Sequence, residues 1–249
     1  MRVTANNRRD PESQPVAGNV VRPTAIDVVF CVDVSARMKS TLAAIRSQLR
    51  YLPQALSEFQ ALREAPLTQL RFRFIMFHDF SDEAESLSET DFMRVIPENK
   101  QDEFDALIGS LNAKRLHYSG PGTSALRALA SAIDSDWVRP QSTSTFCRHV
   151  IVLLTGSRDI RDLGGGAGMT DECLAEHSWR LETLVEMWDS RQGRLSQESK
   201  RLILFAPDAP LWSLIGDSFG STIWLPVRHE EMADYLDSKS LADLIRNEI

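Results

Sequence analysis

Ala25-Ile26-Asp27-Val28-Val29-Phe30-Cys31-Val32-Asp33 is an almost unbroken β-branched and apolar run that closes on an acid. Such a run suits a central strand covered on both faces of a parallel sheet, because a half-exposed strand would alternate apolar and polar residues. HVIVLLTG, residues 149–156, has the same character. LRFRFIMF, residues 70–77, alternates with Arg71 and Arg73 in its first half, which predicts a less covered strand. FMRVI (92–96) is expected at an edge, and RLILFAP (201–207) and STIWLPV (221–227) complete the predicted strands.

Helical patterns lie between these runs. Met38, Leu42, Ile45, Leu49, Leu52, Leu56 and Phe59 recur at steps of four and three, which makes one apolar stripe. Pro53 interrupts it and predicts a kink or split near Leu49 to Leu52. Further helices are expected around Phe104–Leu111, Leu126–Trp137, Asp171–Asp189, Leu211–Phe219 and Glu230–Asn247. Alternating strands and helices predict an α/β fold: a Rossmann-like doubly wound, mostly parallel central sheet with helices on both faces. Residues 1–23 form a polar arm expected to be flexible, and residues 24–249 a single domain with a Gly-rich loop at about 157–170.

Composition narrows the function classes. The chain has 249 residues and a net charge of −7, from 28 Lys+Arg against 35 Asp+Glu. An acidic surface disfavours generic binding to nucleic acid or anionic membrane. No apolar run approaches the roughly 20 residues that span a bilayer. Cys31, Cys147 and Cys173 are odd in number and far apart, which suits a reducing compartment and a cytoplasmic location. The five histidines have no zinc spacing, no G-x-S-x-G elbow is present, and GGGAG (164–168) lacks the Lys-Ser/Thr of a phosphate loop.

Ligands of doubly wound sheets bind beyond the carboxyl ends of the strands. Three loops expected there carry Asp33-Val34-Ser35-Ala36-Arg37, Gly122-Thr123-Ser124 and Thr155-Gly156-Ser157. In that order they resemble the von Willebrand factor A (vWA) domain family, whose pattern is strand-D-x-S-x-S, a Gly-Thr helix start and a strand ending in T-D-G. The resemblance covers about residues 25–249. FIMFHDFSDE looks like the strand and Arg-Asp-aromatic turn of bacterial and intracellular members, with His78 in the Arg place.

The resemblance implies a metal-ion-dependent adhesion site, in which oxygen ligands hold Mg²⁺ for a partner's carboxylate. By position Asp33, Ser35 and Thr123 match ligands, whereas Arg37 replaces a Ser and Gly156 replaces an Asp. Asp79 or Asp159 would have to supply a substitute acid. Two readings follow. In one, a divalent ion binds through Asp33, Ser35, Thr123 and a substitute acid. In the other, which Coulomb repulsion from Arg37 favours, Arg37 pairs with Asp33 and the site takes no cofactor. Singly, Asp33, Ser35 and Thr123 also suit helix capping.

On the helix expected at 171–189, Trp179, Thr183 and Met187 lie opposite the core-facing residues, which suggests either a second packed side or a patch for a partner. The preferred function is a non-enzymatic protein-protein interaction module. The resemblance makes it a vWA-like adaptor or scaffold of a bacterial stress or defence system, beside an ATPase, kinase, phosphatase or protease. The alternative is a metal-dependent hydrolase or phosphotransfer enzyme that uses Asp33.

Overall fold

The structure is a computed structural model and describes residues 24–62, 66–79, 87–96, 98, 100–112, 122–139, 145–163 and 179–246. The arm at 1–23, the GGGAG segment, Cys173, His117, His177 and residues 171–178 of the expected helix lie outside these residues.

β1 (Thr24–Asp33) is buried along its whole length. It pairs in parallel with β2 (Leu67–Phe77) on one side and β5 (Phe146–Leu154) on the other. β6 (Lys200–Ala206) and β7 (Thr222–Pro226) continue the parallel sheet. Two short antiparallel strands, β3 (Leu87–Glu89) and β4 (Met93–Ile96), finish the far edge against β2. The order β3-β2-β1-β5-β6-β7 is that of a mostly parallel, doubly wound α/β sheet. The strand order reverses at β1, and it is beyond the carboxyl ends of strands flanking such a switch point, here β1 and β5, that doubly wound sheets form their binding crevice.

A short 3-10 turn at Ala36–Met38 leads into α1 (Lys39–Leu49), and α2 (Leu52–Leu62) follows after a break. Pro53 sits in the first turn of α2, where its missing N–H breaks no helical hydrogen bond. The remaining helices are α3 (Gln101–Gly109), α4 (Ala125–Ile133), α5 (Leu181–Asp189), α6 (Pro210–Ser218), α7 (Met232–Tyr235) and α8 (Ser238–Arg246).

The period of two along β1 divides the core. Ile26, Val28, Phe30 and Val32 face the side packed by α1, α2, α3, α7 and α8. Phe30 stacks on Phe74 at 5.3 Å between ring centres, and Phe72 on Phe104 at 4.7 Å. Val29 and Cys31 face α4, α5 and α6 together with Ile151, Leu153, Trp188 and Trp212. Cys31 behaves as a small buried apolar residue: its thiol donates weakly to the Ala128 carbonyl, and burial pushes its pKa up.

Three expected boundaries move. Trp137 lies beyond α4, which stops at Ile133. The terminal helix is two pieces, α7 and α8. α5 begins only at Leu181, because Arg180 is extended (φ −91°, ψ 129°), so Trp179 is not part of it.

Candidate functional site

β1 delivers Asp33 to the crevice fully buried. Its Oδ1 accepts the backbone N–H of Ser35 at 2.9 Å, and its Oδ2 accepts the Thr155 hydroxyl at 2.8 Å. Thr155 Oγ1 in turn accepts the Ser157 N–H at 3.0 Å. The carboxylate therefore staples the β1 loop to the β5 loop through neutral donors. Among the described residues, the hydrogen bonds to Asp33 are these two, and the expected Arg37–Asp33 pair does not form. Arg37 instead reaches Ser157 Oγ at 3.5 Å, and Ser157 Oγ donates to the Asp159 carbonyl at 2.9 Å.

Capping does not account for the matched hydroxyls. Ser35 and Ser124, the N-cap residues of the 3-10 turn and of α4, make no side-chain cap bond. Ser35 Oγ and Thr123 Oγ1 are buried with no hydrogen-bond partner among the described residues. The N-terminus of α4 is capped from a distance: Asp162 Oδ2 accepts the Arg127 N–H at 2.7 Å. Burial, with Asp79 nearby adding to it, pushes the Asp162 pKa up to about 7. No local signal marked Asp162, because its target lies 35 residues earlier in the chain.

Asp79 and Asp159, the two candidate substitute acids, part company. The Asp159 side chain is exposed. Asp79 is buried and accepts Arg161 Nε at 3.0 Å as an ion pair. Arg161 also donates its backbone N–H to the Thr123 carbonyl at 2.8 Å. Its side chain lies over Gly122, where a Cβ would meet Arg161 Cγ at 2.2 Å. The third loop is filled in a similar way. A Cβ on Gly156 would meet His229 Cβ at 2.7 Å and Met38 Sδ at 3.1 Å. The carboxylate expected of T-D-G is thus absent, and its space is occupied.

These contacts test the divalent ion that the resemblance implies. The unpartnered hydroxyls of Ser35 and Thr123 would suit a hard cation. The rest of the set does not: Asp33 and Asp79 are balanced in number by Arg37 and Arg161, Asp79 is committed to Arg161, and buried Asp162, whose Oδ1 also has no partner among the described residues, has its pKa pushed up to about 7 by burial, toward its neutral form. An added double positive charge would be uncompensated in a buried crevice. Among the described residues no group of three His, Cys, Asp or Glu side chains is placed to hold a metal. The residues present do not fit a resident divalent ion.

The expected partner patch is dispersed. Thr183 is exposed, whereas Trp179 and Met187 are half-buried against the core. The Trp179 N–H donates to the Asp162 carbonyl at 2.7 Å, which ties it to the site loop rather than to α5. A groove of about 830 Å³ between α5 and α6 is lined by Leu163, Trp179, Leu181, Val185 and the exposed Leu214.

No protein-family model matches the chain, and no curated protein matches its sequence. Solved structures of a pilus adhesin share its architecture. The pilus adhesin SpaC from Lactobacillus rhamnosus GG, in its open conformation, superposes with a TM-score of 0.51 at 10% identity, covering 90% of this chain and 31% of the adhesin. A second form of SpaC gives 0.51 at 11% identity, over 91% and 32%. Proximal thread matrix protein 1 from the mussel byssus gives 0.44 at 10% identity, over 90% and 48%. This chain spans about a third of the length of the adhesin, and at such identities the likeness is one of fold. Among the described residues no helix is long and apolar enough to cross a membrane.

Proposed function

We propose that this chain is a non-enzymatic protein-interaction module whose binding face is the crevice beyond β1 and β5, working without a resident metal. The observation that carries the reading is the state of Asp33. Both of its oxygens are engaged in fixing the β1 and β5 loops to each other. A nucleophile needs an activating base beside it and a metal-binding carboxylate needs further ligands around it, and among the described residues no group of three His, Cys, Asp or Glu side chains is placed to hold a metal, so this acid serves architecture. The side chains that reach the rim, half-exposed Arg37 and His229 and exposed Arg158, are hydrogen-bonding groups suited to a protein partner.

The vWA resemblance extends the reading to an adaptor beside an ATPase, kinase, phosphatase or protease of a bacterial stress or defence system. Affinity capture from native lysate with the wild type and Arg37→Glu tests it. A specific partner retained by the wild type and lost with Arg37→Glu is expected. The competing hydrolase reading predicts Mg²⁺-dependent turnover of generic phosphate esters that disappears in Asp33→Asn, and that result would overturn the proposal.

A further inference from the structure

We infer that Arg161 is the built-in cation of this crevice, its guanidinium paired with Asp79 while its stem and backbone hold the segment after β5 to the start of α4. The inference deepens the reading of the crevice as a metal-free binding face and rests on it.

Three independent contacts converge on this one residue. Its Nε bonds Asp79, at the end of β2. Its backbone N–H bonds Thr123, just before α4. Its aliphatic stem fills the space over Gly122, so closely that any side chain there would displace it. The next residue, Asp162, caps α4, and the Asp162 carbonyl holds Trp179. The segment after β5 is therefore clamped to β2 and α4 by side-chain and backbone bonds. A guanidinium suits this place because it is charged at every accessible pH, planar and multidentate. Unlike a free ion, it is covalently attached and cannot be removed by a chelator. Arg161 is on this account a positioning residue, and Gly122 is glycine in order to seat it.

The account makes metal binding latent. Removing the guanidinium deprives Asp79 of its countercharge and leaves it, just past the end of β2, next to the neighbouring strand β1 that ends at Asp33, with the unpartnered hydroxyls of Ser35 and Thr123 in the adjoining loops, oxygen donors with a net negative charge. Mn²⁺ is the probe, read by electron paramagnetic resonance on the full chain, with thermal melting in parallel. The wild type is expected to leave the free-ion spectrum unchanged. Arg161→Met is expected to melt lower and to take up Mn²⁺, and the double variant Asp33→Asn, Arg161→Met to lose that uptake. Gly122→Ala is expected to behave like Arg161→Met, because its Cβ evicts the stem.

Uptake of Mn²⁺ by the wild type, abolished in Asp33→Asn, would overturn the inference. So would Arg161→Met and Gly122→Ala variants that match the wild type in both melting and Mn²⁺ response. Should Arg161→Met not fold, Asp79→Asn reports on the same pair: a lower melting midpoint is expected, and an unchanged one would overturn the inference. None of these readings involves a partner protein, so a failure of the interaction proposal is seen separately, in lysate capture.

Discussion

Asp27 and Asp33 lie on one strand, point to the same face of the sheet and are both fully buried. Their surroundings differ. Asp27 forms a two-point ion pair with Arg71, at 2.8 and 2.5 Å, and its Oδ2 also accepts the Val138 N–H at 2.7 Å. Arg71 continues to the Asp136 carbonyl and packs over the Phe92 ring. His149 closes this end: its Nε2–H donates to the Val138 carbonyl, its Nδ1 accepts the Ser196 N–H, and burial lowers its pKa, which keeps the ring neutral. Each polar group named at this end has a partner. At the other end Asp33 is met by neutral donors, two hydroxyls near it have no partner among the described residues, and the cations Arg37 and Arg161 bond to other groups. The first arrangement is what stability requires of buried charge. The second leaves polar capacity unspent at the topological switch point of the sheet, where binding sites form.

The largest effect that breaks the comparison is expected from Asp27→Asn. It leaves the Arg71 guanidinium without its countercharge, and removing one partner of a buried pair costs about 3–5 kcal/mol. Urea unfolding measures it. Gly156→Ala pushes a methyl group into His229 and Met38, and overpacking of this kind costs about 1–3 kcal/mol. A loss there with none in Gly109→Ala, where a Cβ meets nothing within 4 Å, would show that the space of the lost carboxylate is filled.

The third prediction concerns pH. The folded-state pKa of Asp162 is raised to about 7 from 3.8. The folded state therefore holds its proton longer than the unfolded state does. This contribution to stability is complete below pH 4 and is lost as pH rises through about 7, with a slope approaching about 1.4 kcal/mol per pH unit. Arg161 and Asp79 are the charged neighbours on the adjoining loops. Asp162→Asn, which still accepts the Arg127 N–H, is expected to abolish the slope and to be more stable than the wild type at pH 8. A smaller effect than that of Asp27→Asn is expected from Asp33→Asn, about 1.5–3 kcal/mol, since hydrogen bonds from neutral donors are weakened and no countercharge is stranded. A loss as large as that of Asp27→Asn would erase the distinction between the two ends.

Much of the fold was legible in the chain. β1 and β5 announce themselves as apolar runs, because a strand covered on both faces has no polar side to show. Pro53 marks the break between α1 and α2, because its ring excludes a preceding helical turn. β3 carries no signal, since three residues, half-exposed Leu87 and exposed Ser88 and Glu89, show no periodicity. The break at Arg180 within the expected 171–189 helix carries no local signal, because Trp179 fits a helical spacing while its N–H donates to the Asp162 carbonyl. Of the candidate site, Asp33 and its loop were identified by their place after a buried strand. Its closure was invisible: His229 over Gly156, Arg161 over Gly122 and Asp162 on α4 are contacts between distant segments, and no local pattern encodes them.

The central claim is that protein groups hold the crevice where the resemblance places an ion. A ligand that binds only the folded state raises the unfolding free energy in proportion to ln(1 + [L]/Kd). The most direct measurement is therefore urea unfolding of the wild-type chain in EDTA and in millimolar Mg²⁺ at matched ionic strength. Superimposable curves are predicted. A midpoint that moves to higher urea with Mg²⁺, and no longer does so in Asp33→Asn, would contradict the account.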